Sequence, residues 1–138
     1  MSTSIIIVNH NTGSILQDCI RSVFTFEKSS GIEIIIIDNY SADYSKEIIT
    51  KLSAEYNNVK YEFTNSLISF SAANNIGIKQ ASGEYLLIMN PDIIFTEPVF
   101  EKLIADLKND VSIGAISPAL VGTDGYFQRN YFQRYPSI

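Results

Sequence analysis

The stretch "IEIIIID", Ile32 to Asp38, indicates the fold class most directly. It is short and rich in isoleucine, and Glu33 is the only charged residue before the aspartate that ends it. Such a composition is typical of a strand in a parallel sheet, because helices there cover both faces of the strand. A similar stretch, "SIIIV" at Ser4–Val8, predicts a neighbouring strand of the same kind.

Helical patterns alternate with strand patterns along the chain. Apolar residues recur with helical spacing over Ser14–Phe24 and over Asp43–Glu55, and Ser41 or Asp43 can cap the second of these helices. The other predicted elements are an edge strand at Val59–Phe63, a helix at Ser71–Gln80, a buried strand at Tyr85–Met89, a helix capped by Thr96 with Pro98 in its first turn, and a strand at Ile113–Pro118. This alternation predicts one α/β domain over residues 1–138: an open, mostly parallel, Rossmann-like sheet with helices on both faces.

Composition and charge argue against several classes of protein. The formal net charge is −5 and the pI is about 4.7, whereas a nucleic-acid-binding domain carries a basic stripe. No apolar run approaches the ~20 residues of a membrane span. The single cysteine, Cys19, has no internal disulfide partner, which fits a reducing compartment. We therefore expect no nucleic-acid partner, no membrane span and a cytoplasmic location, with the inner face of the membrane as an option.

Polar side chains follow three of the predicted strands. They are Asn9-His10-Asn11, Asp38-Asn39 and Asn90-Pro91-Asp92. Open parallel sheets bind their ligands outside the carboxyl ends of the strands, so the fold brings these groups to one edge. Each group alone can equally be a turn or a helix cap, since Asn and Asp favour both. Three such groups at one edge favour a binding site.

The residue types at this edge favour a hard divalent cation. The sequence has no dinucleotide fingerprint, no P-loop and no nucleophile elbow. His10 is the only histidine, and Cys19 lies in an apolar helical pattern, which argues against zinc. Asp92 has no Lys or Arg near it in sequence, and its oxygen chemistry suits Mg²⁺ or Mn²⁺. One aspartate suffices when water and substrate phosphates complete the metal's ligand shell.

Four stretches of the chain resemble the family 2 glycosyltransferases of the GT-A fold, especially the rhamnosyltransferase-like branch. They are "SIIIVNHNTG", "IEIIIIDNYSAD", "FSAANNIGIKQASGEYLLIMNPDI" and, more weakly, "DGYFQRNYFQRYPS". The resemblance implies transfer of a sugar with inversion, from a dTDP- or UDP-sugar to a glycan or lipid-linked acceptor. It also implies assistance by Mg²⁺ or Mn²⁺ and a place in cell-surface polysaccharide synthesis.

The resemblance also implies roles for individual residues. Asp92 matches the metal-binding aspartate of the family's Asp-x-Asp motif, and Asn90 matches a position near the ribose. Asp38 matches the aspartate that hydrogen-bonds the pyrimidine edge. The remaining implied nucleotide-binding residues are Val8, Asn9 and His10 at the base, and Asn75 and Gly77 beside the sugar-nucleotide pocket.

Two departures from the family pattern bear on function. Leu67-Ile68-Ser69-Phe70 stands where the family usually has Asn-x-Gly-Phe. Family members also continue into an acceptor-binding half that carries the general base, so the resemblance implies truncation before that half. No catalytic residue is therefore assigned in this chain, which we expect to be inactive alone.

Two other functions stay open. One is a nucleotide-sugar-binding module or truncated fragment without transferase activity, completed by a partner or by a second copy in a homo-oligomer. The other is a nucleotidyltransferase, which is disfavoured because "NHNTGS" offers no basic residue apart from His10.

Overall fold

The computed structural model describes residues 2–28 and 31–128. Its elements are β1 (Thr3–Asn9), α1 (Gly13–Phe26), β2 (Ile32–Asp38), α2 (Ser45–Glu55), β3 (Val59–Phe63), α3 (Phe70–Gln80), β4 (Tyr85–Met89) and α4 (Phe100–Asn109). The chain divides into two compact units, Met1–Glu97 and Pro98–Ile138. The four strands and the first three helices all belong to the first unit. In the part of the chain that is described, no helix has the length and apolar composition needed to cross a membrane.

The four strands form one parallel sheet in the order β3-β2-β1-β4. Asn9 at the end of β1 pairs with Asp38 at the end of β2, and the pairing of β1 with β4 ends at Ile7 and Met89. The open parallel α/β fold predicted from the sequence is confirmed. Because all strands run the same way, their carboxyl ends lie along one edge, which we call the carboxyl edge.

The isoleucines of β1 and β2 form a core that is covered on both faces. Val8 and Ile37 are buried in a cluster with Ala73 of α3. The next buried turn of α3 carries Gly77, where an added Cβ would lie 2.6 Å from Cγ2 of Ile6. α3 therefore packs directly on one face of the sheet. α1 and α2 pack together on the other face, as right-handed crossovers require when the chain reverses its direction of travel across the sheet after β3.

β4 differs from the predicted strand that is buried on both faces. Its side chains alternate, so that Leu86 is 49% exposed and Ile88 is 52% exposed. β4 pairs only with β1 and forms an edge of the described sheet. A continuous apolar run does not reveal this position, because the run looks the same whether one face or both are covered. One face of β4 is therefore an exposed apolar surface.

The second unit corrects two predictions. α4 begins at Phe100 with Val99 as its N-cap residue, so Thr96 does not cap it and Pro98 precedes its first turn. The predicted strand at Ile113–Pro118 is irregular, since none of the described segments pairs with it. A strand-like composition without a partner strand does not form a ladder.

A turn forms at "GTDG", Gly122–Gly125, in the second unit. The amide of Gly122 donates to the carbonyl of Tyr126 at 2.8 Å, and Gly125 has a φ of 80°, which glycine adopts without strain. Val121 bridges to Phe127 in antiparallel fashion, which closes the hairpin. The sequence contains "YFQR" twice, at Tyr126–Arg129 and at Tyr131–Arg134, and the second copy lies outside the described residues.

The side chain of Glu33 links neighbouring segments at the amino-terminal edge of the sheet. Its Oε1 accepts hydrogen bonds from the amide and hydroxyl of Ser82, each at 2.7 Å, and from Ser4, while its Oε2 lies 2.7 Å from Nζ of Lys60. Burial raises the pKa of this carboxyl, but the hydrogen bonds from Lys60, Ser4 and Ser82 outweigh burial and lower the pKa to about 2. The ionised form of Glu33 therefore stabilises the fold.

Glu33→Gln is expected to reduce stability by about 2 kcal/mol at neutral pH. The folded pKa of about 2 lies below the ordinary value of 4.5, so this stabilisation is present above pH 4.5 and is lost as pH falls towards 2. Urea unfolding of wild type and variant at several pH values measures the difference. The exposed Glu47→Gln on α2 is the control, with an expected change below about 0.5 kcal/mol. A stability difference between wild type and Glu33→Gln that does not shrink with acidification would contradict the account.

Candidate functional site

Asn9 and Asp38 are joined by short hydrogen bonds where β1 and β2 end. Nδ2 of Asn9 donates to Oδ1 of Asp38 at 2.7 Å, and the hydroxyl of Ser41 donates to the same oxygen at 2.6 Å. The amide of Ser41 donates to Oδ2 at 3.2 Å. Asn9 and Asp38 are both 0% exposed. Both carboxylate oxygens of Asp38 are thus engaged by protein donors, and the residue holds the turn that follows β2.

Asn11 links the loop after β1 to the loop after β2. Its backbone has a φ of 55°, a left-handed conformation that asparagine tolerates. Its amide donates to the Ser41 hydroxyl at 2.9 Å, and its side-chain oxygen accepts from the amide of Ala42 at 2.7 Å. Thr12 adds a hydrogen bond to Oδ1 of Asn9 at 2.7 Å. The two loops are therefore held together as one part of the carboxyl edge.

Asn39 holds the segment that departs from the family pattern. Its Nδ2 donates to the carbonyl of Ile68 at 2.9 Å, and its Oδ1 accepts from the amide of Ile68 at 3.0 Å. Ser69 then caps α3 by accepting from the amide of Ala72 at 3.2 Å. The start of α3 is therefore fixed beside the end of β2.

Asp92 lies in a turn directly after β4, and α1 positions that turn. The thiol of Cys19 lies 4.0 Å from the carbonyl oxygen of Asn90, and the hydroxyl of Ser22 accepts from the amide of Phe95 at 2.9 Å. Burial, and next the nearby negative charge of Asp92, raise the pKa of Cys19 to about 12. Sequence reasoning missed the positioning roles of Cys19 and Ser22, although both lie on the buried face of α1.

Asp92 presents its carboxylate to solvent at the carboxyl edge. The residue is exposed, and no donor in residues 2–28 and 31–128 makes a hydrogen bond to its carboxylate. The same described residues contain no group of three or more His, Cys, Asp or Glu side chains that could hold a metal. One free carboxylate fits Mg²⁺ or Mn²⁺ completed by water and phosphate oxygens, and it does not fit an all-protein metal cage.

The predicted site residues divide into two groups by exposure. His10, Asn75, Asn90 and Asp92 are exposed, whereas Val8, Asn9, Asp38 and Gly77 are buried. Of the buried group, Asn9 and Asp38 shape the edge through their hydrogen bonds, and Gly77 packs on Ile6. Of these predicted site residues, the exposed ones can contact a ligand directly in this conformation.

His10 is held at the carboxyl edge in a defined tautomer. Its Nδ1 lies 2.8 Å from the carbonyl oxygen of Asn39, which can only accept, so Nδ1 carries the proton. Its Nε2 lies 3.1 Å from Nδ2 of Asn11 and accepts from it. The imidazole is therefore oriented by both neighbouring loops.

The chain matches a known family and known proteins over most of its length. The family model described as "Glycosyl transferase family 2" matches residues 4–137. The chain is 32% identical over 114 residues to glycosyltransferase GlyG of Streptococcus pneumoniae serotype 4. The aligned segment covers 80% of this chain and 38% of that protein. It is 30% identical over 116 residues to a poly-beta-1,6-N-acetyl-D-glucosamine synthase of Staphylococcus epidermidis, covering 83% and 27% respectively. The chain spans about a third of the length of these relatives.

Solved structures share the fold. TarS 1-349 of S. aureus in complex with UDP-GlcNAc superposes with a TM-score of 0.66 at 20% identity, covering 79% of this chain and 31% of that one. The mannosyltransferase PcManGT from Pyrobaculum calidifontis, in complex with GDP-Man and Mn²⁺, has a TM-score of 0.68 at 12% identity, covering 81% and 32%. At such identities the likeness shows the fold alone, and that fold is GT-A.

Proposed function

The chain belongs to glycosyl transferase family 2, and from that premise we propose that its carboxyl edge binds a nucleoside-diphosphate sugar for transfer to an acceptor. The proposed donor is a dTDP- or UDP-sugar, and the proposed acceptor is a glycan or lipid-linked glycan of the cell surface. Transfer is proposed to proceed with inversion. The relative that makes poly-beta-1,6-N-acetyl-D-glucosamine and the neighbour crystallised with UDP-GlcNAc support this choice of chemistry.

The observation that carries the proposal is the free carboxylate of Asp92 on a fixed turn. No donor in residues 2–28 and 31–128 bonds this carboxylate, so the side chain does nothing to hold the turn in place. α1 nevertheless holds this turn through Cys19 and Ser22. A divalent cation that binds together with the donor phosphates would give this charge a partner that residues 2–28 and 31–128 do not supply.

The chain's own residues have distinct parts in donor binding. Asp92 would hold the divalent ion, Mg²⁺ or Mn²⁺, through its carboxylate, while Asn90 and His10 offer polar groups along the same edge. Asn9 and Asp38 act indirectly, because their buried hydrogen bonds fix the loops that carry His10 and Asn39. The ion supplies electrostatic stabilisation of the diphosphate leaving group. This arrangement accounts for departure of the nucleotide and assigns no general base.

A second candidate function is a nucleotide-sugar-binding module without transferase activity of its own. The exposed apolar face of β4, with Leu86 and Ile88, favours it because large exposed apolar surfaces mark interaction sites. The chain also spans about a third of its relatives' length. Donor binding without sugar transfer, together with self-association in light scattering, supports this candidate. Sugar transfer by the monomeric chain excludes it.

Calorimetric titration of the chain with UDP and with dTDP tests the proposal. We expect at least one of them to bind, and its affinity to rise about tenfold or more with Mn²⁺, because the ion would offset the negative charges of Asp92 and the diphosphate. Mn²⁺ titrated without nucleotide is the control and should bind weakly, since Asp92 is the one protein ligand that the proposal assigns to the ion. If neither nucleotide binds with the ion present, the proposed function is wrong.

A further inference from the structure

Tyr40 has a backbone conformation that its side chain disfavours. Its φ is 62°, in the left-handed region where bulky residues are outliers. Asn11 is the other non-glycine residue with positive φ in the described part of the chain, and its side chain explains it by accepting hydrogen bonds from the loop after β2. No comparable contact explains Tyr40. At this position of the turn, asparagine or glycine would be less strained than tyrosine.

The ring of Tyr40 does not offset this strain by packing. The residue is 54% exposed, and its side chain makes no hydrogen bond or ring contact with any residue that the structure describes. Its backbone amide donates to the carbonyl of Asp38 at 3.0 Å, which holds the turn but involves no side chain. Strain that persists without a folding benefit is characteristic of functional positions.

The turn that carries Tyr40 is rigidly attached to the carboxyl edge. The amide of Asn39 donates to the carbonyl of Asn9 at 2.7 Å, and the carboxamide of Asn39 pairs with both backbone groups of Ile68. The imidazole of His10 contacts the carbonyl of Asn39, which belongs to the peptide group that continues into Tyr40. The backbone that carries Tyr40 is thus held in place beside His10.

The place of Tyr40 suits one end of an extended nucleotide. It follows β2, which is separated from β4 by β1, and Asp92 follows β4. Two strand spacings amount to about 10 Å across the sheet. A nucleoside diphosphate whose phosphates lie at Asp92 extends its ribose and base over about this distance. The base then arrives at the end of β2.

We propose that Tyr40 is a donor-binding residue whose ring stacks on the nucleobase of the donor. The inference rests on the proposed function and adds an aromatic platform to it. Stacking on an aromatic side chain requires an exposed ring carried by a fixed backbone, and Tyr40 has both. The platform recognises the nucleoside part of the donor and not its diphosphate.

Tyr40→Asn separates this role from a structural one. Relief of the left-handed strain is expected to raise the melting temperature by about 2–5 °C. Loss of the ring is expected to weaken binding of UDP or dTDP with Mn²⁺ about tenfold. Pyrophosphate with Mn²⁺ should bind the variant as it binds wild type, because it has no base. Calorimetry and thermal unfolding measure the three quantities.

Two further variants serve as controls. Tyr40→Phe keeps the ring and the strained backbone, so its nucleotide affinity and its melting temperature should both match wild type. Tyr44→Ala removes another exposed tyrosine, 79% exposed at the N-cap of α2 with an ordinary φ of −75°, and should leave nucleotide affinity unchanged. The pair distinguishes the ring of Tyr40 from exposed aromatic surface in general.

The outcomes separate failure of the inference from failure of the proposed function. If wild type binds neither nucleotide, both are wrong. If wild type binds and Tyr40→Asn binds within twofold of it, the platform is wrong and the donor site stands. A tenfold loss in Tyr40→Phe, a parallel loss of pyrophosphate binding in Tyr40→Asn, or a fall in its melting temperature would each overturn the platform.

Discussion

Replacing Asp38 by alanine is expected to lower the free energy of unfolding by about 3–5 kcal/mol. Asp38 is fully buried and accepts hydrogen bonds from Asn9 and from both the hydroxyl and the amide of Ser41. Removing the carboxylate leaves these donors unpaired away from water. The chain should therefore unfold at a much lower urea concentration, which circular dichroism measures.

Two variants calibrate this result. Asp38→Asn keeps one acceptor oxygen but turns an amide towards the backbone donor of Ser41, so its stability should fall between wild type and Asp38→Ala. Asp18→Ala removes an exposed carboxylate on α1 and should change stability by less than about 0.5 kcal/mol. Equal stabilities of Asp38→Ala and Asp18→Ala would show that the buried network does not hold the edge together.

Asp92→Asn is expected to remove the effect of Mn²⁺ on nucleotide binding. We expect the affinity for UDP or dTDP with Mn²⁺ to fall about tenfold or more, to the level seen without metal, because a neutral amide is a poor ligand for a hard cation. Stability should change by less than about 0.5 kcal/mol, since Asp92 is exposed and none of the described donors bonds its carboxylate. Calorimetry and urea unfolding measure the two effects.

Asp18→Asn is the matched control for Asp92→Asn. It removes one exposed negative charge from the same unit and should retain the full response to Mn²⁺. A similar loss in both variants would mean that general charge, and not a specific ligand, governs binding. Full Mn²⁺-dependent binding by Asp92→Asn would remove Asp92 from the site.

The fold was predictable where burial on both faces leaves a strong pattern. The isoleucine runs of β1 and β2 predicted a parallel sheet because central strands that are covered on both faces carry mostly apolar side chains. β4 carries a similar run but exposes Leu86 and Ile88, because its neighbours in space, and not its own residues, decide which face is covered. The segment Ile113–Pro118 failed as a strand for the same reason, since pairing depends on a distant partner.

The candidate site was predictable as a place more than as a set of contacts. Strand order brings the polar residues after β1, β2 and β4 to one edge, as their positions in sequence indicated. The sequence did not show that Asp38 accepts hydrogen bonds from Asn9 and Ser41, because that depends on which donors the fold brings near the carboxylate. The positive φ of Tyr40 could not be predicted either, because tyrosine rarely adopts a left-handed backbone conformation.

The most direct test of the central claim is to locate Mn²⁺ on the folded chain in the presence of UDP or dTDP. Paramagnetic broadening of backbone amide signals, followed while Mn²⁺ is added below one equivalent, reports distance from the ion. The account predicts that the amide signals of Asn90, Asp92 and Ile93 broaden first, followed by those at the ends of β1 and β2. Signals near Glu33 and Ser82 at the opposite edge should persist longest. Broadening that begins at that opposite edge, or that spreads without a centre, would contradict a donor site at the carboxyl edge.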